Sequence, residues 1–93
     1  MKLSVYIVTL NEAARLPRTI KAASAVADDI VVVDSGSTDG TVERAERLGA
    51  RVIFHAWKNI SSQKQFAQNQ CLYDWVLSLD ADEVLSPDLI AEI

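Results

Sequence analysis

Apolar residues dominate short runs of this chain that show little polar alternation, and longer, more polar stretches separate these runs. Four runs predict strands, at residues 3–8, 29–33, 51–56 and 75–79. Runs without polar alternation are typical of strands that are covered on both faces of a sheet. We therefore expect a sheet enclosed between layers of helix.

The polar stretches between these runs carry helix signals. Pro17 suits the first turn of a helix over 16–27, in which Ile20, Ala23 and Ala27 share one face. Turn residues at 35–40 precede a second helix, which Gly49 would end.

A third helix is predicted over 62–72, because Ser62 and Gln65 have capping-box spacing. Ser86 and Pro87 resemble the start of a fourth. The order β-α-β-α-β-α-β-α predicts an α/β fold with a mostly parallel sheet and flanking helices.

Composition excludes several classes of protein. The chain has 93 residues and a net charge of −4, which argues against a nucleic-acid partner. Its single cysteine, Cys71, excludes an internal disulfide and fits a reducing compartment. No apolar run approaches the roughly 20 residues of a membrane span, and the first residues lack the pattern of a signal peptide.

Polar side chains gather where the predicted strands end. Carboxylates, hydroxyls and an amide follow three of the four strands: Thr9, Asn11, Glu12, Asp34, Ser35, Asp80, Asp82 and Glu83. In a parallel sheet all of these positions lie on the one edge where ligands bind. Crowded carboxylates call for a compensating cation, and an all-oxygen set suits Mg²⁺ or Mn²⁺.

Other polar and aromatic residues have simpler interpretations. The residues 37–39 are favoured as turn formers, while Asn11 and Glu83 are open between a local role and a functional one. His55 is expected on the face of a strand. Trp57 and Trp75 are expected to pack, as is Cys71 within the third helix.

Three segments together resemble glycosyltransferase family 2. They are VTLNE at 8–12, VVDSGSTDGT at 32–41 and WVLSLDADE at 75–83. Residues 57–58 and 63–66 are similar to the bacterial branch that adds a sugar to the lipopolysaccharide inner core. The resemblance implies a GT-A-type, Rossmann-like fold, of which residues 1–93 are the N-terminal, nucleotide-sugar-binding part.

The resemblance also implies roles for individual residues. Thr9, Asn11 and Glu12 match the loop that lines the nucleotide pocket, and Asp34 matches an acidic residue at the uracil or ribose. Lys64 matches a basic position near the diphosphate. Asp80 and Asp82 match an Asp-x-Asp motif, with Asp80 towards the ribose and metal and Asp82 the direct metal ligand. Many members of the family carry a second acidic residue at the position where this chain has Ser35. The resemblance therefore leaves open which nucleotide is bound.

The activity implied by the resemblance is metal-dependent, inverting transfer of a hexose from a nucleotide sugar, with a UDP-sugar favoured. The implied acceptor is a glycan or lipid-linked glycan such as lipopolysaccharide core. The implied location is the cytoplasm, with peripheral association of the whole protein at the inner face of the membrane. The general base of such enzymes lies beyond the fourth strand, so no residue here is assigned to it.

Two other hypotheses stay open on sequence alone. One is a nucleotide-binding module without turnover, and the other is a nucleotidyltransferase, which would favour a glycine-rich loop after the first strand. The helix begun at Pro87 has seven residues up to and including Ile93. We therefore expect a shortened domain that binds donor weakly and transfers no sugar by itself.

Overall fold

A computed structural model describes residues 2–80 of the chain, and the predicted helix after Pro87 lies outside them. Within residues 2–80 the order is β-α-β-α-β-α-β, as the apolar pattern predicts. The bounds are β1 Leu3–Thr9, α1 Leu16–Ala23, β2 Asp29–Asp34, α2 Thr41–Arg47, β3 Arg51–Phe54, α3 Ile60–Asn69 and β4 Trp75–Asp80.

The strands form one parallel sheet in the order β3-β2-β1-β4. β1 and β2 are central in this part of the fold, and every residue of β2 is buried. β3 is less buried. Its end residues Arg51 and Phe54 are exposed, and the two residues between them are half-buried. Burial on both faces therefore holds for the two central strands, whereas β3 is an edge.

Two hydrophobic clusters cover opposite faces of the sheet. Alternate residues of β1, namely Leu3, Val5 and Ile7, pack with α1 and α2, while Tyr6 and Val8 pack beneath α3. This division follows from right-handed crossovers, because the chain first moves from β1 to β3 and then returns past β1 to β4. The helices on the outward and return paths lie on opposite faces.

Helix α1 is shorter than the 16–27 predicted. Pro17 lies in its first turn as expected, but the α-helix ends at Ala23. The hydroxyl of Ser24 donates to the Lys21 carbonyl oxygen, and the chain continues through turns. Ala27 still packs against the core, as the predicted apolar face requires. The predicted end of the helix at residue 27 was wrong.

Helix α3 begins earlier than the capping-box spacing predicts. Its N-cap is Asn59, whose Oδ1 accepts from the backbone N–H of Ser62 at 2.8 Å. The helix ends at Asn69, so Cys71 follows it and is half-buried against the second cluster. The error at the start of α3 arises because Ser62 and Asn59 are each acceptable caps, and only the backbone path decides between them.

The two tryptophans do not pack as predicted. Trp57 is 56% exposed and Trp75 is 61% exposed. β3 also ends at Phe54, two residues before the end predicted from the apolar run.

Candidate functional site

The carboxyl ends of three strands lie side by side. The backbone register pairs Thr9 with Asp34 across β1 and β2, and Val8 with Asp80 across β1 and β4. The ends that the sequence predicts to meet are therefore neighbours in the sheet. The order reverses between β1 and β4, which is the kind of place where open α/β sheets bind ligands.

Asn11 joins the loop after β1 to the loop after β2. Its backbone N–H donates to Ser37 Oγ at 2.8 Å, and its Oδ1 accepts from the N–H of Thr38 at 2.8 Å. Its φ of 53° is in the left-handed region, which asparagine tolerates better than most residues. The side chain thus links two loops that are far apart in sequence, rather than forming only a local turn.

Asp39 and Thr41 make a second link between these loops. Asp39 Oδ2 accepts from the N–H of Ala13 at 3.2 Å, and Thr41 Oγ1 accepts from the N–H of Glu12 at 3.0 Å. Asp39 Oδ1 accepts from the Thr41 hydroxyl and from the Thr41 N–H. The hydrogen bond from Thr41, with those from backbone N–H groups, holds the pKa of Asp39 below its ordinary value. This is the turn-forming role predicted for residues 37–39, extended to the neighbouring loop.

Asp34 organises the turn that follows β2. Its Oδ2 accepts from the N–H groups of Gly36 and Ser37, and its Oδ1 accepts from the Ser37 hydroxyl. The residue is only 3% exposed. Its carboxylate therefore has a structural role in this loop whatever it contacts in a ligand.

A cleft of about 370 Å³ opens at this edge of the sheet. It is lined by the end of β1, its loop and two residues from the neighbouring loops: Val8, Thr9, Leu10, Glu12, Ser35 and Trp57. Leu10 and Trp57 are both more than half exposed and supply an apolar wall. Asn11, Asp34 and Lys64 are not among the lining residues.

The hydroxyl of Thr9 is buried at this cleft and has no hydrogen-bond partner among the residues that the structure describes. Buried polar groups are rarely left without a partner, so Thr9 Oγ1 is available to a ligand or to a more distant part of the chain. Glu12 is partly exposed, and its carboxylate lies 4.0 Å from Arg15 Nη1. The cleft offers hydroxyl and carboxylate groups beside an apolar wall.

His55 and Gln63 form an arrangement that the sequence did not suggest. The His55 N–H donates to the carbonyl oxygen of Asp34, which places His55 just past β3 at the same edge. Gln63 is fully buried, and its Nε2 donates to the His55 carbonyl oxygen at 2.9 Å. Its Oε1 then faces His55 Nδ1 at 2.7 Å, so Nδ1 carries the proton.

The His55 ring also stacks on Phe66, with 3.9 Å between ring centroids. Gln63 and Phe66 thus fix the ring and the loop between β3 and α3. One feature of the sequence could have indicated this arrangement: a polar residue, Gln63, stands at a position of α3 that faces the sheet. Lys64, the next residue, is half-buried on α3.

The metal ligands predicted from the sequence fall at the limit of the described structure. Asp80 ends β4 at the ligand edge, while Asp82 and Glu83 lie outside the described residues. Among residues 2–80, no group of three or more histidine, cysteine, aspartate or glutamate side chains could hold a metal ion. The same residues include no helix long and apolar enough to cross a membrane.

Comparisons with known proteins agree on one family. The family model for glycosyl transferase family 2 matches residues 4–93. An uncharacterized glycosyltransferase of Rickettsia felis is 50% identical over 92 residues, which cover 99% of this chain and 32% of that protein. The lipopolysaccharide core biosynthesis glycosyltransferase LpsC of Rhizobium meliloti is 39% identical, over 96% of this chain and 34% of that protein. The chain spans about a third of the length of the curated relatives it matches.

Solved structures show the same architecture. A crystal structure of glucosyl-3-phosphoglycerate synthase from Mycobacterium tuberculosis, in complex with Mn²⁺, UDP and glucosyl-3-phosphoglycerate, superposes with a TM-score of 0.76. The sequences are 28% identical, and the match covers 86% of this chain and 33% of that one. The parallel sheet and flanking helices are thus those of a GT-A glycosyltransferase.

Proposed function

The chain belongs to glycosyl transferase family 2, and from that premise we propose that residues 1–93 form the donor-binding part of an enzyme that transfers a hexose from UDP-sugar to a glycan acceptor. The observation that carries the proposal is the meeting of three strand ends beside one cleft. Thr9, Asp34 and Asp80 end β1, β2 and β4 on the same edge. Two loops linked by hydrogen bonds form the rim of that edge.

The register supports a division of roles on the two sides of β1. The cleft lies on the side of β2 and β3, where Leu10 and Trp57 offer apolar surface to a nucleobase. Thr9 Oγ1, buried without a partner among the described residues, can hydrogen-bond the nucleoside there. Asp80 arrives on the other side of β1, at the β1–β4 reversal, which suits the ribose and the diphosphate.

The carboxylates that the sequence predicts after β4 have the chemistry that a hard divalent cation prefers. Asp80 and Asp82 would hold Mg²⁺ or Mn²⁺, whose carboxylate preference matches these residues. When bound, the ion would neutralise the negative charge that develops on the departing diphosphate. Lys64 is proposed to add a counter-charge near the same group, and Asn11 and Glu12 to shape the nucleotide loop.

The similar proteins support the proposed UDP-sugar donor and, less directly, the proposed glycan acceptor. UDP and Mn²⁺ are bound in the similar synthase, and the similar LpsC is named for lipopolysaccharide core biosynthesis. We infer an acceptor of the lipopolysaccharide-core class, inversion at the anomeric carbon and a cytoplasmic location. The general base is not assigned among these residues.

Calorimetric titration tests donor binding. UDP, GDP and CDP are each titrated with and without Mn²⁺, and UDP with Mn²⁺ is expected to bind most tightly. Binding of no nucleotide under any condition would contradict the proposal. Binding followed by no sugar transfer to a lipopolysaccharide-core acceptor, even when the chain is extended past Ile93, would favour a binding module without turnover.

Asp82→Asn tests the metal site. The variant is expected to lose the Mn²⁺-dependent part of UDP affinity and to keep its fold, because removal of one carboxylate relieves repulsion in the unbound protein. Asp88→Asn, in the same stretch of sequence, is the matched control and should bind as the wild type does. Unchanged Mn²⁺ dependence in Asp82→Asn would exclude Asp82 as a ligand.

Asp34→Ala tests the nucleoside contact. We expect UDP affinity to fall by roughly ten- to a hundredfold with or without Mn²⁺, which corresponds to loss of a charged hydrogen bond. Because Asp34 also holds its turn, Ser37→Ala is the control that loosens the turn but keeps the carboxylate. An equal loss in both variants would assign the effect to the loop and not to a nucleoside contact.

A further inference from the structure

The loop between β3 and α3 is held at both ends and carries an exposed tryptophan in its middle. The loop comprises residues 55–59, and Trp57 is more than half exposed where it lines the cleft. At the start of the loop, the His55 N–H donates to the Asp34 carbonyl oxygen at 3.0 Å, which joins the loop to the end of β2. At its end, the side chain of Asn59 caps α3.

The sequence of this loop does not by itself determine its conformation. Residues 55–59 contain neither glycine nor proline, the residues on which tight turns most often depend. The position of Trp57 beside the cleft is therefore set by contacts between the loop and the rest of the protein.

Gln63 of α3 supplies two of these contacts. It is fully buried, its Nε2 donates to the His55 carbonyl oxygen at 2.9 Å, and its Oε1 accepts from His55 Nδ1 at 2.7 Å. Both side-chain hydrogen bonds that Gln63 makes among the described residues thus end on His55. A buried amide without partners is costly, so the burial of Gln63 requires His55 to keep this position.

Phe66 holds the ring of His55 from the same face of α3. The two ring centroids are 3.9 Å apart and the ring planes are inclined by 17°. Residues three positions apart are neighbours on a helix surface, so Gln63 and Phe66 together fix the backbone and the side chain of His55. Packing of α3 on the sheet does not itself require an amide at position 63, because an apolar side chain of similar volume would fill the same space. The polar groups of Gln63 are directed at the loop.

We propose that Gln63 is a positioning residue that, through His55, holds Trp57 as a stacking surface for the nucleobase of the donor. The inference rests on the proposed function, which places a nucleobase against the apolar wall of the cleft. Trp57 is two residues from His55, so the hydrogen bonds of Gln63 restrict the backbone that carries the indole ring. A loop that is ordered before the ligand arrives loses less conformational entropy on binding.

Fluorescence of the unbound protein tests the positioning by itself. In a Trp75→Phe parent, Trp57 is the remaining tryptophan, because the chain has two. Gln63→Met removes both hydrogen bonds and keeps an unbranched side chain of similar volume. We expect the anisotropy of Trp57 to fall in this variant. Unchanged anisotropy would overturn the proposal.

Phe66→Leu provides a second test that leaves Gln63 in place. It removes the ring stacked on His55 and keeps an apolar side chain on α3. The anisotropy of Trp57 should fall here too, by less than in Gln63→Met, since the two hydrogen bonds remain. Thermal unfolding shows which variants are folded. If Gln63→Met does not fold, Phe66→Leu decides the outcome, and unchanged anisotropy in it would overturn the proposal.

Calorimetric titration with UDP and Mn²⁺ tests whether Gln63 acts on binding through Trp57. Trp57→Ala should weaken UDP binding roughly tenfold, as for the loss of one base–aromatic stack. Gln63→Met should weaken it roughly fivefold when Trp57 is present and less than about twofold when residue 57 is alanine. An equal loss in both backgrounds would assign Gln63 a general structural role and overturn the proposal. Unchanged affinity in Trp57→Ala would overturn it in favour of a contact between Trp57 and another part of the protein.

Two controls separate positioning from stability. Gln68→Met makes the same replacement at an exposed position of α3 and should change neither anisotropy nor UDP affinity. Asp29→Asn weakens the network at the edge of the sheet opposite the cleft and should keep the UDP affinity of the parent. A loss of affinity in Asp29→Asn equal to that in Gln63→Met would overturn the proposal in favour of a general effect of stability. If the parent binds no UDP, the proposed function fails and the nucleobase fails with it as the ligand of Trp57, while the anisotropy separately shows whether Gln63 holds Trp57.

Discussion

At the scale of single residues, polar side chains at the carboxyl edge of the sheet hold their own loops in place. Asn11, Asp34 and Asp39 each accept backbone N–H groups, and Asn11 and Asp39 do so across two loops. Such bonds position the loops before a ligand arrives, which lowers the entropy that binding must remove. The polar cluster that the sequence predicted as a site is therefore also the structural support of that site.

Asn11 provides a test of this support. Asn11→Ala should lower the free energy of unfolding by about 2 kcal/mol, since it loses the bond from Thr38 and alanine tolerates a positive φ less well than asparagine does. Asn11→Gly also loses the bond but removes the steric penalty, so it should be about 1 kcal/mol less destabilising than alanine. Urea unfolding measures both. Equal destabilisation would show that the left-handed conformation carries no cost here.

At the scale of secondary structure, the elements were easier to predict than their ends. The apolar runs of β1 and β2 and the proline of α1 identify their elements directly. Helix ends depend on which of several polar residues bonds the free N–H groups. For α3 that residue is Asn59, three positions before the serine favoured by the sequence pattern.

The start of α3 can be tested with a pair of variants. Asn59→Ala should cost about 1 kcal/mol of stability, because the N–H of Ser62 loses its acceptor. Ser62→Ala should change stability little, since its hydroxyl does not cap the helix. Chemical denaturation of the two variants gives the comparison. A larger loss in Ser62→Ala would restore the predicted capping box.

At the scale of the whole molecule, a polar network opposite the ligand edge ties the sheet together. Asp29, at the start of β2, accepts two hydrogen bonds from Arg51 of β3, each at 3.0 Å. It also accepts from the Ser4 hydroxyl of β1 and from the N–H of Leu72, before β4. One carboxylate thus connects three strands and the approach to the fourth.

This network predicts how stability depends on pH. Burial by itself would raise the pKa of Asp29, but the hydrogen bonds from Arg51, Leu72 and Ser4, with the Arg51 charge, outweigh it and hold the pKa below the ordinary 3.8. The stabilisation is present in full above that ordinary value and declines as the pH falls through the lower pKa of the folded state.

Asp29→Asn should therefore be less stable by about 1–3 kcal/mol at neutral pH and should lose less stability on acidification than the wild type. Unfolding in urea between neutral pH and pH values below 3.8 measures the difference. Asp74→Asn, at an exposed position, is the control and should retain the wild-type pH dependence. Parallel curves for wild type and Asp29→Asn would contradict the role of this carboxylate.

The sequence by itself determined the order of strands and helices, the parallel sheet and the edge at which the polar residues meet. These follow from local patterns, because apolar runs, a helix-starting proline and glycines at positive φ act on neighbouring residues. Only the tertiary structure decided which side chains join the loops, how Gln63 holds His55, and that Trp57 and Trp75 remain exposed within the described residues. Those contacts and exposures depend on residues that are distant in sequence, or on which strands lie next to one another in the sheet. Neither can be detected as a pattern among neighbouring residues of the sequence.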